Sequence, residues 1–439
     1  MRLYSTPESA KAGDITTLAV VIPALNEREN LELLLPALRE TLDGLGVPSE
    51  VIVVDGGSRD GTADAAERRG ARVVVQRTPG FGAALRDGFA ATTAGYVVTM
   101  DADLSHRPVF IEELWKRRAE ADVLVASRYV PGGCADMGWL RRLLSRILNR
   151  VYRRALSLPL NDLSSNFRMY RRRVLAAVTC ESRDFDVLEE LLIEVHAAGW
   201  RIEEVPFRYM ARGSGRSHAR LVRFGWALLK TLVRLWRLRN SVRSADYDHR
   251  AFDSPIWPQR YWQRARHRIV LDAVKGRTAI LDAGCGTSRI IQDLPGAVGL
   301  DVAEPKLRWL AHRRARLVGG TCERLPFRDE TFDAVVNSEV IEHVPDTPDI
   351  LREAWRVLRP GGILVLGTPD YGRVLWWVIE WIYGKVVPGG YAQEHVTRFT
   401  HAELSARLRQ GGWHVLGCRY VGGCEMIFTA QKPSAAPPG

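Results

Sequence analysis

Two aspartates one residue apart, Asp101 and Asp103, close an apolar run from Tyr96 to Met100. A buried strand reads this way when its tip leaves the core and meets a polar site. Side chains at i and i+2 of an extended segment point the same way, so the two carboxylates are placed to share one cation. Hard cations such as Mg²⁺ use one or two carboxylates and complete their shell with substrate phosphate and water. The plainer alternative is a pair of solvated acids in a strand-to-loop turn. A second constellation starts at Ile280-Leu281-Asp282-Ala283-Gly284-Cys285-Gly286, a strand entering a glycine-rich turn. Further on, Val298-Gly299-Leu300-Asp301 ends another strand in an acid. Glycine lets backbone approach a ligand closely, and such an acid suits a ribose diol, although the glycine pair alone fits many nucleotide-binding turns.

The elements that must position these residues alternate. Leu18 to Pro23 is an apolar run stopped by proline, and Asn26 to Asn30 leads into a helix with Leu31, Leu34, Leu35 and Leu38 at helical spacing. Val51 to Asp55 is a second strand, followed by a tight turn from Gly56 and a helix start near Thr62. The alternation continues through Arg72–Val75 and Gly80–Ala91 to the Asp101/Asp103 strand. It predicts an α/β fold, a mostly parallel sheet with helices on both faces. Ligands of such sheets bind beyond the carboxyl ends of the strands, where Pro23, Asp55 and Asp101 fall.

Composition bounds the rest. At 439 residues the chain is comfortable for two domains, and 46% hydrophobic with 26% charged residues describes a protein able to bury cores. A formal net charge of +11 favours an anionic partner. Six scattered cysteines with no C-x-x-C point to a reducing compartment without a zinc site or disulfide framework. Met1 to Asp14 lacks the apolar core of a signal peptide, and no apolar run reaches the roughly 18–20 residues of a spanning helix. A cytoplasmic protein is expected, peripheral on the cytoplasmic membrane face.

The ordered blocks I-P-A-L-N-E, V-V-D-G-G-S-R-D-G-T, G-F-G-A-A-L-R-D-G, M-D-A-D-L-S-H-R-P, A-S-R-Y and V-P-F-R-Y-M-A-R-G-S-G-R-S resemble polyprenol-phosphate (dolichol-phosphate) mannosyltransferases. These are inverting nucleotide-sugar glycosyltransferases of the GT-A fold. The resemblance implies that Pro23, Leu25, Glu27 and Asp55 hold the nucleoside, and that Asp101, Ala102 and Asp103 hold the diphosphate with its Mg²⁺ or Mn²⁺. Arg128 and Arg212 would contact phosphates of donor or acceptor, and a polyprenyl phosphate acceptor, already anionic, needs no general base. Three positions depart from the pattern: Gly56 where a second Asp is usual, Ser164-Ser165-Asn166 where a glycine turn is usual, and His218 where a lysine is usual.

Two basic segments follow. Trp139 to Arg154 carries Arg141, Arg142, Arg146, Arg150, Arg153 and Arg154 with no acid. Residues 216–243 form a basic amphipathic segment, read as an interfacial helix on an anionic membrane surface or else a domain-packing helix. The domain expectations are a tail over 1–17, a glycosyltransferase domain over 18–215, the basic segment, a polar linker over 244–259, a second domain over 260–431 and a tail over 432–439.

In that second domain Arg324-Leu325-Pro326-Phe327, Phe332-Asp333-Ala334-Val335-Val336, Glu339-Val340-Ile341-Glu342-His343 and Leu358-Arg359-Pro360-Gly361-Gly362 complete the pattern. It resembles class I S-adenosylmethionine-dependent methyltransferases. The fold class expected is therefore two Rossmann-like doubly wound domains joined by the basic helical segment. By that resemblance Asp282, Gly284 and Gly286 border the amino-acid end of S-adenosylmethionine, Asp301 binds its ribose, and Glu323 and Leu325 lie near adenine. Thr321 stands where an acid is usual and Ser288 where a third glycine is usual. Methyl transfer is mainly a positioning reaction; His343 and His395 are candidate bases, with structural turn residues as the plainer reading. The aromatic stretch Arg373 to Tyr391 reads as a core helix or as a lid over a lipid-linked substrate.

The functional expectation is a bifunctional enzyme: sugar transfer from a nucleotide diphosphate to polyprenyl phosphate, and methylation of a related glycan, lipid or saccharide. The rivals are a glycosyltransferase with a non-lipid acceptor fused to a small-molecule methyltransferase, an RNA-modifying enzyme, and a non-catalytic lipid-binding scaffold. No aromatic-basic RNA-binding module is present, so no nucleic acid partner is expected, and the intact Asp101/Asp103 pair argues against a scaffold.

Overall fold

The structure is a computed structural model describing residues 3–4, 16–210, 221–313, 316–345, 348–386 and 395–434, without the side chains of 3–4, 141, 221–228 and 386. Arg212 and His218 lie outside the described residues. The chain divides into two compact units, one of residues 16–196 and 200–236, the other of 237 onward with 3–4 and 197–199.

The first unit is built on a seven-stranded sheet. Its strands are β1 (Leu18–Ala24), β2 (Ser49–Asp55), β3 (Arg72–Val75), β4 (Tyr96–Thr99), β5 (Val123–Ser127), β7 (Arg168–Arg171) and β8 (Ile202–Pro206), in the order β3-β2-β1-β4-β7-β5-β8. A separate two-stranded ribbon pairs β6 (Cys134–Ala135) with β9 (Arg208–Tyr209). Strand β7 is antiparallel to both neighbours, β4 and β5, and the other pairings in the sheet are parallel. Two-residue periodicity sorts the side chains. Val20 and Ile22 of β1, Val53 of β2 and Val98 of β4 pack with Leu31, Leu34 and Leu38 of helix α1 (Arg28–Gly44) and with Ile111 and Leu114 of the helix Phe110–Lys116. Their neighbours Val21, Ile52, Val54 and Val97 pack on the opposite face with Ala84 and Leu85 of the helix Phe81–Ala90 and with Val187 and Leu188. A Cβ on Gly88 would stand 2.3 Å from Val21 Cγ1, so glycine is what lets the helix Phe81–Ala90 lie this close to β1. The strand order reverses between β1 and β4, which places the ligand crevice of such sheets at their carboxyl ends.

The second unit has an eight-stranded sheet. In chain order the strands are the short Leu3–Tyr4, β10 (Ile280–Ala283), β11 (Val298–Asp301), β12 (Arg316–Gly319), β13 (Phe332–Ser338), β14 (Leu358–Pro369), β15 (His414–Val421) and β16 (Glu425–Gln431). Their spatial order is Leu3–Tyr4, β12-β11-β10-β13-β14-β16-β15, with β16 antiparallel to both neighbours. Leu281, Leu364 and Leu366 face Ile350, Ala354, Leu404 and Leu408 on one side. Ile280, Ile363 and Val365 face Ile269, Val270, Ile291 and Leu307 on the other. Both units are thus α/β layers of the expected class.

The division between the units falls inside the helix Leu221–Arg239, not in the polar stretch 244–259 read as a linker. The reason is local. Arg239, fully buried, donates to both carboxylate oxygens of Asp246 (2.5 and 2.8 Å) and to Ser244 Oγ (2.6 Å). Tyr247 and Ala251 of the following helix (Tyr247–Phe252) are buried as well. The polar residues that suggested a boundary are paired inside the second unit.

Candidate active sites

In the first unit, Pro23 lies near the end of β1, Leu25 and Glu27 on the chain leaving it, and Asp55 ends β2. The loop after β1 is tied to the turn after β2. The Asn26 N–H donates to Ser58 Oγ (2.8 Å), Arg59 N–H to Asn26 Oδ1 (2.9 Å), and Glu27 N–H to Thr62 Oγ1 (2.9 Å). Asp55 is buried and accepts the N–H groups of Gly57 and Ser58 at 3.2–3.3 Å, which shapes the turn. At Gly56, a Cβ would stand 3.1 Å from Gln76 Oε1, so Gln76 brings a polar group to the place where an acid was expected.

Asp101 and Asp103 do not sit on an extended segment. Strand β4 ends at Thr99, and the chain bends through residues 102–104, with Leu104 at φ +64°. The i, i+2 argument is therefore replaced by a braced turn. Asp101 N–H donates to His106 Nδ1 (3.0 Å), and Asp101 Oδ1 accepts from Asn166 Nδ2 (2.9 Å). Asp103 is buried, as is Ala102, and its Oδ1 accepts the N–H (3.1 Å) and hydroxyl (2.5 Å) of Ser105. His106 is itself buried, stacked on Phe167 with ring centroids 4.8 Å apart. Burial pushes its pKa down, against the pull of Asp101 and Asp103, so the ring is neutral with Nδ1 as acceptor. Two carboxylates at a polar strand end suit a hard cation that takes its remaining ligands from a diphosphate and water.

Arg128 is not an unpaired cation. Its Nε and Nη2 grip Asp162 at 2.7 Å each, Nη2 also reaches Ser164 Oγ at 2.8 Å, and the Asp162 side chain is fully buried. Asp162 is fixed in turn, because Glu204 Oε1 accepts its N–H at 2.9 Å. The unusual Ser164-Ser165-Asn166 segment thus connects Arg128 at one end to Asp101 at the other.

The basic helices differ from one another. On the helix Trp139–Ala155, Trp139 is 75%, Leu143 47%, Ile147 50% and Val151 47% exposed, four turns of one apolar stripe, and Arg146, Arg150 and Arg154 are exposed too. On Leu221–Arg239, Arg234 instead binds the buried Glu190 at 2.6 Å and Thr231 donates to Asp186 at 2.7 Å. One side of its last turns is thus held by protein, while Leu229, Val233 and Trp236 of the same turns are exposed.

In the second unit the carboxyl ends of β11, β10 and β13 open into a cavity of about 840 Å³. Asp282, Gly284, Gly286 and Asp301 line it, with Ser288, Thr321 and Cys322. Gly284 has φ +81°, and a Cβ there would stand 2.3 Å from Val340 Cγ2. Asp301 accepts Gly286 N–H on one oxygen and Ala303 N–H on the other, both at 2.7 Å. Asp282 is buried, its Oδ2 has no partner, and burial followed by the nearby Asp301 pushes its pKa up to about 7. Ser288 Oγ is likewise buried without a partner. Orphaned polar atoms in a cavity wall fit the charged amino-acid end of S-adenosylmethionine.

Glu323 and Leu325 are not on that wall. Glu323 turns to Thr321 Oγ1 (3.1 Å), and Leu325 is buried in the core, its N–H donating to Glu353 (2.7 Å). Thr321 and Cys322, from the same segment, line the cavity instead. The aromatic stretch forms the helix Val374–Val386, whose Trp376, Ile379 and Tyr383 face the cavity while Leu375 and Trp381 are exposed. It is a cavity wall, with residues 387–391 outside the described residues.

His343 and His395 come together, ring centroids 5.0 Å apart, although the chain separates them widely. Beside them lies a charged network that sequence reasoning missed. Arg266 binds Glu425 at 2.6 Å and Glu339 at 3.0 Å. Glu339 and Glu342 were visible in E-V-I-E-H; Arg266 sits in a helix (Trp257–Ala273) without a motif, so no signal marked it. In the first unit the H of M-D-A-D-L-S-H was the available signal for His106.

Comparison with known proteins agrees with two units of different kinds. The glycosyl transferase family 2 model matches residues 19–179, and a methyltransferase domain model matches residues 281–366. An uncharacterized glycosyltransferase of Mycobacterium tuberculosis is 34% identical over 206 residues, 47% of this chain and 90% of that protein. One from Mycobacterium bovis matches to the same extent. Among solved structures, glucosyl-3-phosphoglycerate synthase from Mycobacterium tuberculosis, in complex with Mn²⁺, uridine diphosphate and glucosyl-3-phosphoglycerate, is 27% identical with a TM-score of 0.41, covering 52% of this chain and 82% of that one. A SAM-dependent methyltransferase from Thermotoga maritima is 23% identical with a TM-score of 0.34, covering 39% and 90%. The matches reach the broad family and do not single out its polyprenol-phosphate branch. With a braced double-aspartate turn at the strand ends of one unit and a ligand cavity at those of the other, the chain belongs to glycosyl transferase family 2 and carries a methyltransferase domain behind that family's own.

Proposed function

We propose that the first unit transfers a sugar, with inversion, from a nucleotide diphosphate to polyprenyl phosphate, and that the second methylates a related glycan, lipid or saccharide with S-adenosylmethionine. The observation that carries the first half is the turn of Asp101 and Asp103, braced by His106, Asn166 and Ser105 at the carboxyl end of β4. Mg²⁺ or Mn²⁺ held there would offset the charge that develops on the departing diphosphate. Pro23, Leu25, Glu27 and Asp55, on the neighbouring strand ends, frame the nucleoside. Arg128, neutralised by Asp162, positions the Ser164–Asn166 segment, which leaves phosphate contact to its remaining edge and to Arg212.

The acceptor assignment rests on the helix Trp139–Ala155. An exposed apolar stripe flanked by arginines suits a membrane surface, with each arginine near anionic headgroups worth about 1 kcal/mol. No helix among the described residues is long and apolar enough to cross a membrane, so the contact proposed is peripheral, on the cytoplasmic face. In the second unit, Asp282 and Ser288 would receive the cofactor's amino-acid end, Asp301 its ribose, and Thr321 and Cys322 its adenine. That the two activities share a pathway is inferred from their fusion. Mass spectrometry of the lipid-phosphate pool of cells with and without the protein tests the reading. A glycosylated polyprenyl phosphate should vanish with the protein; an unchanged lipid pool together with a lost water-soluble glycoside would reject the lipid acceptor.

A further inference from the structure

Where the cavity reaches beyond the end of β13, Glu342, His343 and His395 bring one ligand atom each to within 4.8 Å of one another. Glu342 is fully buried, yet its Oε1 has no partner, and Oε2 accepts the Thr368 hydroxyl at 3.0 Å. Among the described residues it forms no ion pair; Arg266 binds Glu339 and Glu425 and acts on Glu342 only through its charge, without direct contact. A buried carboxylate in this state is costly unless a cation or a proton joins it. Burial, then the neighbouring Glu339, pushes its pKa well up.

The surroundings are organised as ligand supports. The Glu342 carbonyl accepts the N–H groups of Val396 (2.8 Å) and Thr397 (3.0 Å), which fixes the His395 segment against the Glu342–His343 turn. His395 Nδ1 lies 2.7 Å from the Tyr371 hydroxyl and 3.1 Å from Glu380 Oε1, so Nε2 is the nitrogen left for a ligand. Metal-bound histidines are held by just such contacts on the second ring nitrogen. His343 and His395 both line the cavity, so an ion at the cluster would meet a bound acceptor.

We infer that Glu342, His343 and His395 form a divalent transition-metal site in the methyltransferase unit, whose open positions take the oxygens of a hydroxyl-bearing methyl acceptor. Two imidazoles with one carboxylate suit Mn²⁺, Fe²⁺, Co²⁺ or Zn²⁺ better than Ca²⁺, and three protein ligands leave positions for substrate. The reading rests on the methyltransferase assignment and specifies its acceptor as an oxygen nucleophile. On transfer the C–S bond breaks with its electron pair left on sulfur, the acceptor oxygen forms the C–O bond, and the hydroxyl proton leaves to water.

The test uses the full-length chain carrying Asp101→Asn and Asp103→Asn, so that the other candidate cation site is removed. Mn²⁺ is titrated in and the free ion followed by electron paramagnetic resonance. One equivalent should bind, and Glu342→Gln, His343→Asn or His395→Asn should each weaken it at least tenfold. Calorimetry with S-adenosylmethionine on the same proteins reports that the unit remains folded. No bound Mn²⁺ in the protein with Glu342, His343 and His395 intact overturns the site, as does Mn²⁺ affinity that all three substitutions leave unchanged. Mn²⁺ binding without S-adenosylmethionine binding would instead keep the site and reject the methyltransferase reading.

Discussion

Replacing Asp282 by Asn should make the cofactor-free second unit more stable and its cofactor affinity lower. Asp282, the last residue but one of β10, lies in the cavity wall, buried, with Oδ2 unpartnered and its pKa raised from the ordinary 3.8 to about 7. Between those two values the folded protein keeps a proton that the unfolded chain has lost. Stability from this group is therefore full below about pH 4, falls as pH rises, and reaches its minimum above about pH 7. At roughly 1.4 kcal/mol per pH unit the ionised carboxylate costs on the order of 4 kcal/mol in alkaline solution. The amide keeps an unmet hydrogen bond, so the net gain should be about 2–3 kcal/mol, or roughly 5–10 °C in the midpoint. The assay is thermal unfolding of the full chain across that pH range, following the transition that S-adenosylmethionine shifts upward. The same substitution removes an anionic partner for the cofactor's ammonium, worth about 1.5–3 kcal/mol, so affinity should fall at least tenfold. A transition with the same pH dependence in both proteins, or unchanged cofactor affinity, would show that Asp282 is satisfied by something other than the ligand.

Three further outcomes are expected. Asp103→Ala should abolish sugar transfer, measured with labelled donor, while calorimetric binding of S-adenosylmethionine is retained. Reversing charge at Arg146 and Arg150 should weaken sedimentation with anionic liposomes by about tenfold or more, since each arginine contributes about 1 kcal/mol; unchanged sedimentation would assign the exposed helix to a protein partner. Gly88→Ala should destabilise the first unit by about 1–3 kcal/mol in urea unfolding, because its Cβ would stand 2.3 Å from Val21 Cγ1.

Local pattern carried the architecture. Leu18 to Pro23 and Val51 to Asp55 fold as strands because they are apolar on both faces, and Leu31, Leu34 and Leu38 are buried together because their spacing puts them on one side of a helix. The site was legible where a motif is contiguous, as at Gly284 and Gly286. It was not legible where a partner is distant in sequence. Asp162 lies 34 residues from Arg128, and Glu425 lies 159 from Arg266, and nothing in either neighbourhood announces the pairing. The double-aspartate geometry failed for a different reason, since Leu104 takes a left-handed conformation that residue type does not signal. The polar stretch at Asp246 and Asp248 looked like a linker because its partners, the buried Arg239 and the half-buried Lys306, lie outside it.

The central claim is that one chain performs two transfers, and a double-label assay tests it most directly. Full-length protein is incubated with radiolabelled sugar nucleotides, polyprenyl phosphate in vesicles and Mg²⁺ or Mn²⁺, then extracted into organic solvent. Methyl-labelled S-adenosylmethionine is added in a parallel reaction. The account predicts sugar label in the lipid phase that depends on Asp103, and methyl label on the glycosylated product or a related saccharide that depends on Asp282. Sugar label confined to the aqueous phase, or methyl label only on an unrelated soluble compound, would contradict it.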